Sequence, residues 1–237
     1  MNRQMKKNLA VLLMILCLLA CCSGTAFADQ TYRATVCELY SVDGYYEDEV
    51  GNAMNYSFHV PLIHASSADA EAINAEIVER FGARVEAQFE SMARGTSLWC
   101  WKTEWQAYWS GNQLFLLIRA EMNGDCFDYA AYGFDFDNGR RVTNKMILEQ
   151  RGISEAEYLE NLREKVTFMF DDTFIPIPEG AKTDLTYEKL LDQTLSWLDM
   201  DCPMLINQFG EIETIVKIVT VAGAGWRYAL ATPFVYG

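Results

Sequence analysis

Apolar residues along this chain fall into two rhythms, and each rhythm predicts its own kind of element. Tyr56, Phe58 and Val60 alternate with polar neighbours, the period of a half-buried strand, and Pro61 predicts where that strand stops. From Ser67 the spacing changes: Ile73, Ile77, Phe81, Val85 and Phe89 recur every fourth residue, with Asp69 and Glu71 in the first turn. That stripe predicts an amphipathic helix to about Met92, with its acids near the positive end of the helix dipole. Upstream, residues 32–40 read as a strand and the acidic stretch 43–49 as a loop.

Between Trp99 and Met122 the pattern becomes specific enough to predict a register. Ser110-Gly111-Asn112-Gln113 offers a two-residue hairpin turn with glycine in the first central place. Folding about Gly111 and Asn112 sets Trp109 opposite Leu114, Ala107 opposite Leu116, Trp105 opposite Ile118 and Trp101 opposite Met122, all on one face. The same fold sets Glu104 opposite Arg119 and Lys102 opposite Glu121 on the other face. A slip of one residue destroys both patterns, so the register is well determined.

Another strand ends in Phe134-Asp135-Phe136-Asp137, turns at Asn138-Gly139 and resumes through Val142. Ser154-x-x-Glu157 is a capping box opening a second helix, in which Tyr158, Leu162, Val166 and Phe170 step by four. A third helix is expected over residues 186–198, and two strands, 212–221 and 226–234, close the chain around Ala222-Gly223-Ala224-Gly225. No repeat or linker divides these elements. They predict one α+β domain: a mostly antiparallel sheet, an amphipathic helix on one face, further helices and a C-terminal hairpin.

The first 28 residues follow neither rhythm. Arg3, Lys6 and Lys7 precede an apolar run from Leu9 to Ala20, and small residues end in Ala26-Phe27-Ala28. This is the order of a cleavable signal peptide with its cut after Ala28. The run falls short of the roughly 20 residues that a membrane span requires. Leu18-Leu19-Ala20-Cys21 also resembles a lipobox, so lipidation of Cys21 is the alternative route. Either route predicts an extracytoplasmic domain, 29–237 after the first cut, secreted or held by an N-terminal lipid at the outer face of a bacterial cytoplasmic membrane.

The chain carries a formal charge of −14, and losing a leader with three bases and no acid takes it to −17. Such a balance argues against nucleic acid and anionic lipid surfaces and favours a cationic protein partner, although it also serves solubility alone. Four cysteines remain outside the leader, Cys37, Cys100, Cys126 and Cys202. Outside the cytoplasm they permit two disulfides in any of three connectivities.

Signals for catalysis are sparse. His59 and His64 flank Pro61 without an H-E-x-x-H, G-x-S-x-G or Walker-type pattern beside them. Asp135-x-Asp137-x-Gly139 opens like a calcium loop, but Met146 stands where such a loop needs a bidentate glutamate. Asp137-Asn138-Gly139 therefore reads as hairpin chemistry. The row Trp99, Trp101, Trp105 and Trp109 suits stacking on sugar rings, yet it shares its face with Leu114, Ile118 and Met122 and reads as core. Nothing singles out a carboxylate pair for glycoside hydrolysis among 33 acids. No catalytic residue, metal ligand or cofactor is assigned, and the ligand-contacting residues stay open.

Phe58-His59-Val60-Pro61, the helix with Ile73-Asn74, the hairpin and then Phe134-Asp135-Phe136-Asp137-Asn138-Gly139 with Val142 form an ordered series. That series resembles the extracytoplasmic domain family shared by the lysozyme-sensing anti-sigma factor RsiV and the N-terminal region of the peptidoglycan deacetylase PdaC, over roughly residues 32 to 172. The resemblance implies an α+β module that binds rather than catalyses, and in the sensor the ligand is strongly basic lysozyme. No sigma-binding segment and no deacetylase domain accompany it, so neither activity carries over. The expectation is a non-enzymatic binding module for a cationic wall-active protein such as lysozyme, or for a peptidoglycan-derived ligand from cell-wall glycan. Its rivals are an enzyme acting on wall glycan and a structural accessory protein of the envelope.

Overall fold

The computed structural model describes residues 35–124, 126–176, 185–220 and 225–235. The leader, with Ala28 and Cys21, lies outside them. Contacts divide the chain into Met1–Cys37 and Glu38–Gly237, and the architecture below is that of the second unit.

Six strands form one sheet in chain order: β1 (Val36–Glu47), β2 (Ala53–Ile63), β3 (Cys100–Ser110), β4 (Gln113–Met122), β5 (Cys126–Asp135) and β6 (Arg140–Val142). β2 and β3 run parallel, whereas the pairs from β3 to β6 are antiparallel. A parallel step needs a crossover, and α1 (Ala68–Ile77), a π turn (Val78–Gly82) and α2 (Ala83–Arg94) supply it. Then come α3 (Asn144–Arg151), α4 (Glu155–Thr173) and α5 (Tyr187–Ser196). A second antiparallel sheet joins β7 (Met204–Ile206), β8 (Ile212–Val219) and β9 (Trp226–Ala231). This is the expected α+β class.

The helix stripe explains the π turn. Residues repeating every four overshoot a full turn by about 40° per step on an α-helix of 3.6 residues per turn. One wider turn at Val78–Gly82 takes up the excess, so Ile73, Ile77, Phe81 and Val85 all stay buried. Ser67 caps α1 by accepting from the Ala70 N–H, and Asn74 bolts the helix to β2. Its side chain donates to the Ile63 carbonyl and accepts from the Ile63 N–H, both at 2.8 Å.

Each face of β4 enters a separate core. Leu114, Leu116, Ile118 and Ala120 lie under the crossover helices with Phe58 and Val60. Phe115 and Leu117 join a second core with the small sheet and α3 to α5, around Tyr158, Leu162, Val166 and Phe170. Ser154 caps α4 by accepting from the Glu157 N–H, as expected, and Thr186 caps α5 by accepting from the Lys189 N–H. Tyr158 carries its hydroxyl into the core and meets the Thr214 hydroxyl at 2.9 Å, which satisfies both groups.

Three expectations need correction. The acidic stretch from Asp43 is not a loop: β1 runs to Glu47, and the turn begins at Asp48. Asp48 is buried there, accepting from Ser97, from the Asn52 amide group and from the N–H groups of Val50 and Asn52. Pro61 does not end β2, because the register with β3 lies upstream at Ser57 and Phe58, and the strand continues to Ile63. Between β6 and the capping box stands α3, capped by Thr143, a helix that the pattern did not announce.

The hairpin turns at Gly111 and Asn112 with Trp109 opposite Leu114, Ala107 opposite Leu116, Trp105 opposite Ile118 and Glu104 opposite Arg119. It breaks at one place. A bulge at Trp101 sets Cys100, not Trp101, opposite Met122. Lys102 does face Glu121, but its ammonium pairs with Glu104 at 2.6 Å, while Arg119 bridges Glu104 at 2.7 Å and Glu121 at 3.8 Å.

Candidate functional site

β6 has only three residues and covers β5 only from Gly133 to Asp135. Among the described residues the N-terminal half of β5 therefore has no strand partner on that side, and its carbonyls need other partners. Arg80, on the π turn, answers one of them: its Nη2 donates to the Tyr129 carbonyl at 2.9 Å. The same guanidinium grips Asp128, with Nε 3.2 Å from Oδ2, and Arg84 one turn later donates to that oxygen at 2.6 Å. Asp128 points inward, where burial opposes its charge, but the two guanidinium groups outweigh that and hold its carboxyl below the usual carboxylate range.

The edge strand β9 of the small sheet lies next to this half of β5, and a cleft of about 440 Å³ opens there. The Arg80–Asp128 pair and Phe127 line it from one side, and Trp226, Arg227 and Tyr228 from the other. Trp226 is 43% exposed and meets Tyr228 edge to face, with ring centroids 4.7 Å apart. The Lys217 ammonium sits 4.6 Å from the Trp226 ring centre and holds the indole in place from β8. Such a lining stacks flat apolar surfaces and offers guanidinium N–H groups to oxygens.

A second polar cluster fastens the other edge of the large sheet. His59 Nδ1 lies 3.0 Å from Glu38 Oε1, and Nε2 lies 3.3 Å from Asp43. Trp105 donates its indole N–H to the same Glu38 oxygen at 2.8 Å. Burial disfavours the imidazolium, but bonds to Glu38 and Asp43 prevail and raise its pKa above the usual histidine value. The Ser41 hydroxyl stands 3.5 Å from Nδ1, the nitrogen that Glu38 already faces. Glu38 thus holds Nδ1 more closely than Ser41 does, and the cluster ties β1 to β2 and β3. His64 stands exposed just beyond β2, apart from this cluster.

The remaining candidates fall outside the cleft or take other roles. Trp99 is 41% exposed, Trp101, Trp105 and Trp109 are half-buried, and Trp109 stacks on Phe136 at 5.6 Å. The row is thus the margin of a core whose centre is β4. Asp135 accepts from the N–H groups of Asp137 and Asn138 and from the Asn138 side chain, which fixes the β5–β6 turn in the way the hairpin reading predicts.

No disulfide joins Cys37, Cys100, Cys126 and Cys202. Cys100 and Cys126 flank Met122 from either side, two strand spacings or about 10 Å apart, beyond the reach of about 7 Å that a disulfide allows. Cys100 is buried, Cys126 is exposed in the cleft, and the Cys202 thiol donates to the Trp197 carbonyl. Among the described residues no helix is long and apolar enough to cross a membrane.

The cleft was not legible as a site in the sequence. Its one available signal was Asp128, a charge at an inward position of a strand beside Ala130 and Tyr132, with Arg80 and Arg84 spaced to answer it from a helix.

Comparison with known families finds no family model that matches, and none of the curated proteins matches either. Among solved structures, a member of the DUF3298 family from Bacteroides fragilis is similar at a TM-score of 0.35 and 10% identity, covering 83% of this chain and 88% of that one.

Proposed function

We propose that this chain is a non-enzymatic binding module of the bacterial cell envelope, exported and either released or held by an N-terminal lipid, whose cleft beside β5 and β9 takes a peptidoglycan-derived ligand. The observation that carries this reading is the lining of the cleft: exposed Trp226 and half-buried Tyr228 opposite a guanidinium held in place by Asp128. Sugar rings present flat C–H faces to aromatic rings and hydroxyl and carboxylate oxygens to arginine. The cleft lies within the range of about 300 to 1,000 Å³ typical of small-ligand sites.

Binding is the better reading than hydrolysis on chemical grounds. Asp128 is the cleft's carboxylate, and both its oxygens are taken by Arg80 and Arg84, so it neither donates a proton nor attacks. Calorimetric titration with soluble peptidoglycan fragments tests the proposal. Binding that Trp226→Ala abolishes supports it, and release of reducing ends from the fragments contradicts it.

A second reading rests on charge. A formal charge of −14 favours a cationic protein such as lysozyme as partner. Asp48, Asp128 and Asp135 are buried and internally bonded, so the attraction falls to the exposed acids. Attraction of that kind is screened beyond about 10 Å at 0.1 M salt. Binding of hen lysozyme that weakens steeply along a salt series supports this reading, and no binding at low salt removes it.

A further inference from the structure

We infer that a second binding site lies at the C-terminal end of α4, an apolar pocket with Arg227 at its mouth, and that it takes an amphipathic carboxylate: a short acyl chain in the pocket with its head group on the guanidinium. The site is separate from the cleft, and the inference does not rest on the proposed function.

Neighbouring residues on a strand point to opposite faces, so Arg227 turns away from Trp226 and Tyr228. It stands across from Ile218 of β8, whose side chain shares the core with Phe170 of α4, and on that face it reaches a pocket of about 210 Å³. Phe170, Thr173, Phe174 and Ile175 line the pocket from the end of α4, and Val219 and Thr220 from the end of β8. Its aromatic wall is packed in place: the Phe170 ring lies 5.5 Å from those of Phe174 and Tyr187, and these two lie 5.1 Å apart. Ile175, by contrast, is 70% exposed, an apolar side chain left to water beside an apolar hollow. A cavity of roughly 150 Å³ lined by leucine, isoleucine and phenylalanine takes a benzene ring, so a short acyl chain has room here.

Local charge specifies the other end of the ligand. The chain as a whole is strongly acidic, yet no acid is among the residues that line this pocket, and Arg227 is their one charged group. Arg227 is exposed, and among the described residues no hydrogen bond or ion pair engages its guanidinium. A cation that the fold leaves unbalanced, beside apolar surface that the fold leaves uncovered, complements a ligand with an aliphatic body and an anionic head. Arginine meets a carboxylate through two parallel N–H bonds, which a neutral head group cannot match and a cationic one opposes.

The test titrates the full chain with octanoate and with octylammonium, followed by calorimetry and by NMR of the Arg227 side chain. The two probes share an alkyl chain and differ in the sign of the head group. The acidic protein as a whole attracts the cation, so a preference for the anion has to come from the site. Octanoate is expected to bind at least about fivefold more tightly, a difference of about 1 kcal/mol. Arg227→Gln should erase the preference and Arg227→Glu should reverse it. Ile175→Asp, a change at an exposed position, should abolish octanoate binding, whereas Arg151→Gln, on the exposed end of α3, removes the same charge elsewhere and should preserve it. Octylammonium binding as tightly as octanoate, a preference that survives Arg227→Gln, or no octanoate binding at all overturns the inference. Each of these results leaves the proposed function standing, because the cleft beside β5 lies on the other face of β9.

Discussion

Arg80 and Asp128, 48 positions apart in sequence, meet where the crossover helix passes over the N-terminal half of β5, with the arginine Nε 3.2 Å from the carboxylate. Their pairing connects the fold to the cleft. The π turn that keeps the apolar stripe of the helix on the sheet also carries Arg80 to this edge, and Asp128 holds the guanidinium there as one wall of the cleft.

Removing that acid leaves two guanidinium groups without their shared partner. Asp128→Ala is expected to cost about 3 to 5 kcal/mol, the range for breaking one side of a buried ion pair. Chemical denaturation measures it. Because the folded state depresses this carboxyl, its contribution is full above the ordinary carboxylate range and is lost as pH falls through the lower folded value. Asp128→Asn should therefore flatten the acid limb of the stability profile.

His59 has the opposite sign. Its folded pKa is raised by Glu38 and Asp43, so the clamp contributes fully below about pH 6.5 and is lost as pH rises through the higher folded value. Thermal melts from about pH 6 to about pH 9 should show the native protein losing stability relative to His59→Gln, with the two curves converging at the alkaline end.

The hairpin was readable in advance because three independent signals agreed: the Gly111-Asn112 turn, the alternation against Leu114, Leu116 and Ile118, and the charges at Glu104 and Arg119. The bulge at Trp101 was not readable, since an extra residue leaves local composition unchanged. The π turn shows the limit differently. A strict step of four was visible, but the same step is compatible with a drifting α-helix until the sheet beneath it is known. The cleft was hidden for a third reason: Arg80, Asp128 and Trp226 come from three separate elements, and only the shortness of β6 leaves the edge between them open. Helix α3 escaped because its eight residues give too few turns for a periodic signal.

Two glycines should respond differently to alanine. A Cβ on Gly133 would stand 2.8 Å from the Val142 Cβ and 3.1 Å from the Phe115 ring, in a packed row across β4, β5 and β6. Gly133→Ala is expected to cost about 1 to 3 kcal/mol through overpacking. Gly111, at φ +59°, has nothing within 4 Å of that position. Gly111→Ala should cost only the strain of a left-handed residue, about 1 kcal/mol. Paired denaturation curves check the order.

The claim that the cleft beside β5 and β9 is the binding site is tested most directly by mapping amide and indole shifts of the labelled protein by NMR during titration with soluble peptidoglycan fragments. The account predicts saturable shifts concentrated at Phe127, Asp128, Trp226, Arg227 and Tyr228, with the turn at Asp48 and helix α4 unaffected. Shifts centred on the β1–β2 turn or on α4 with a silent Trp226 indole would contradict it.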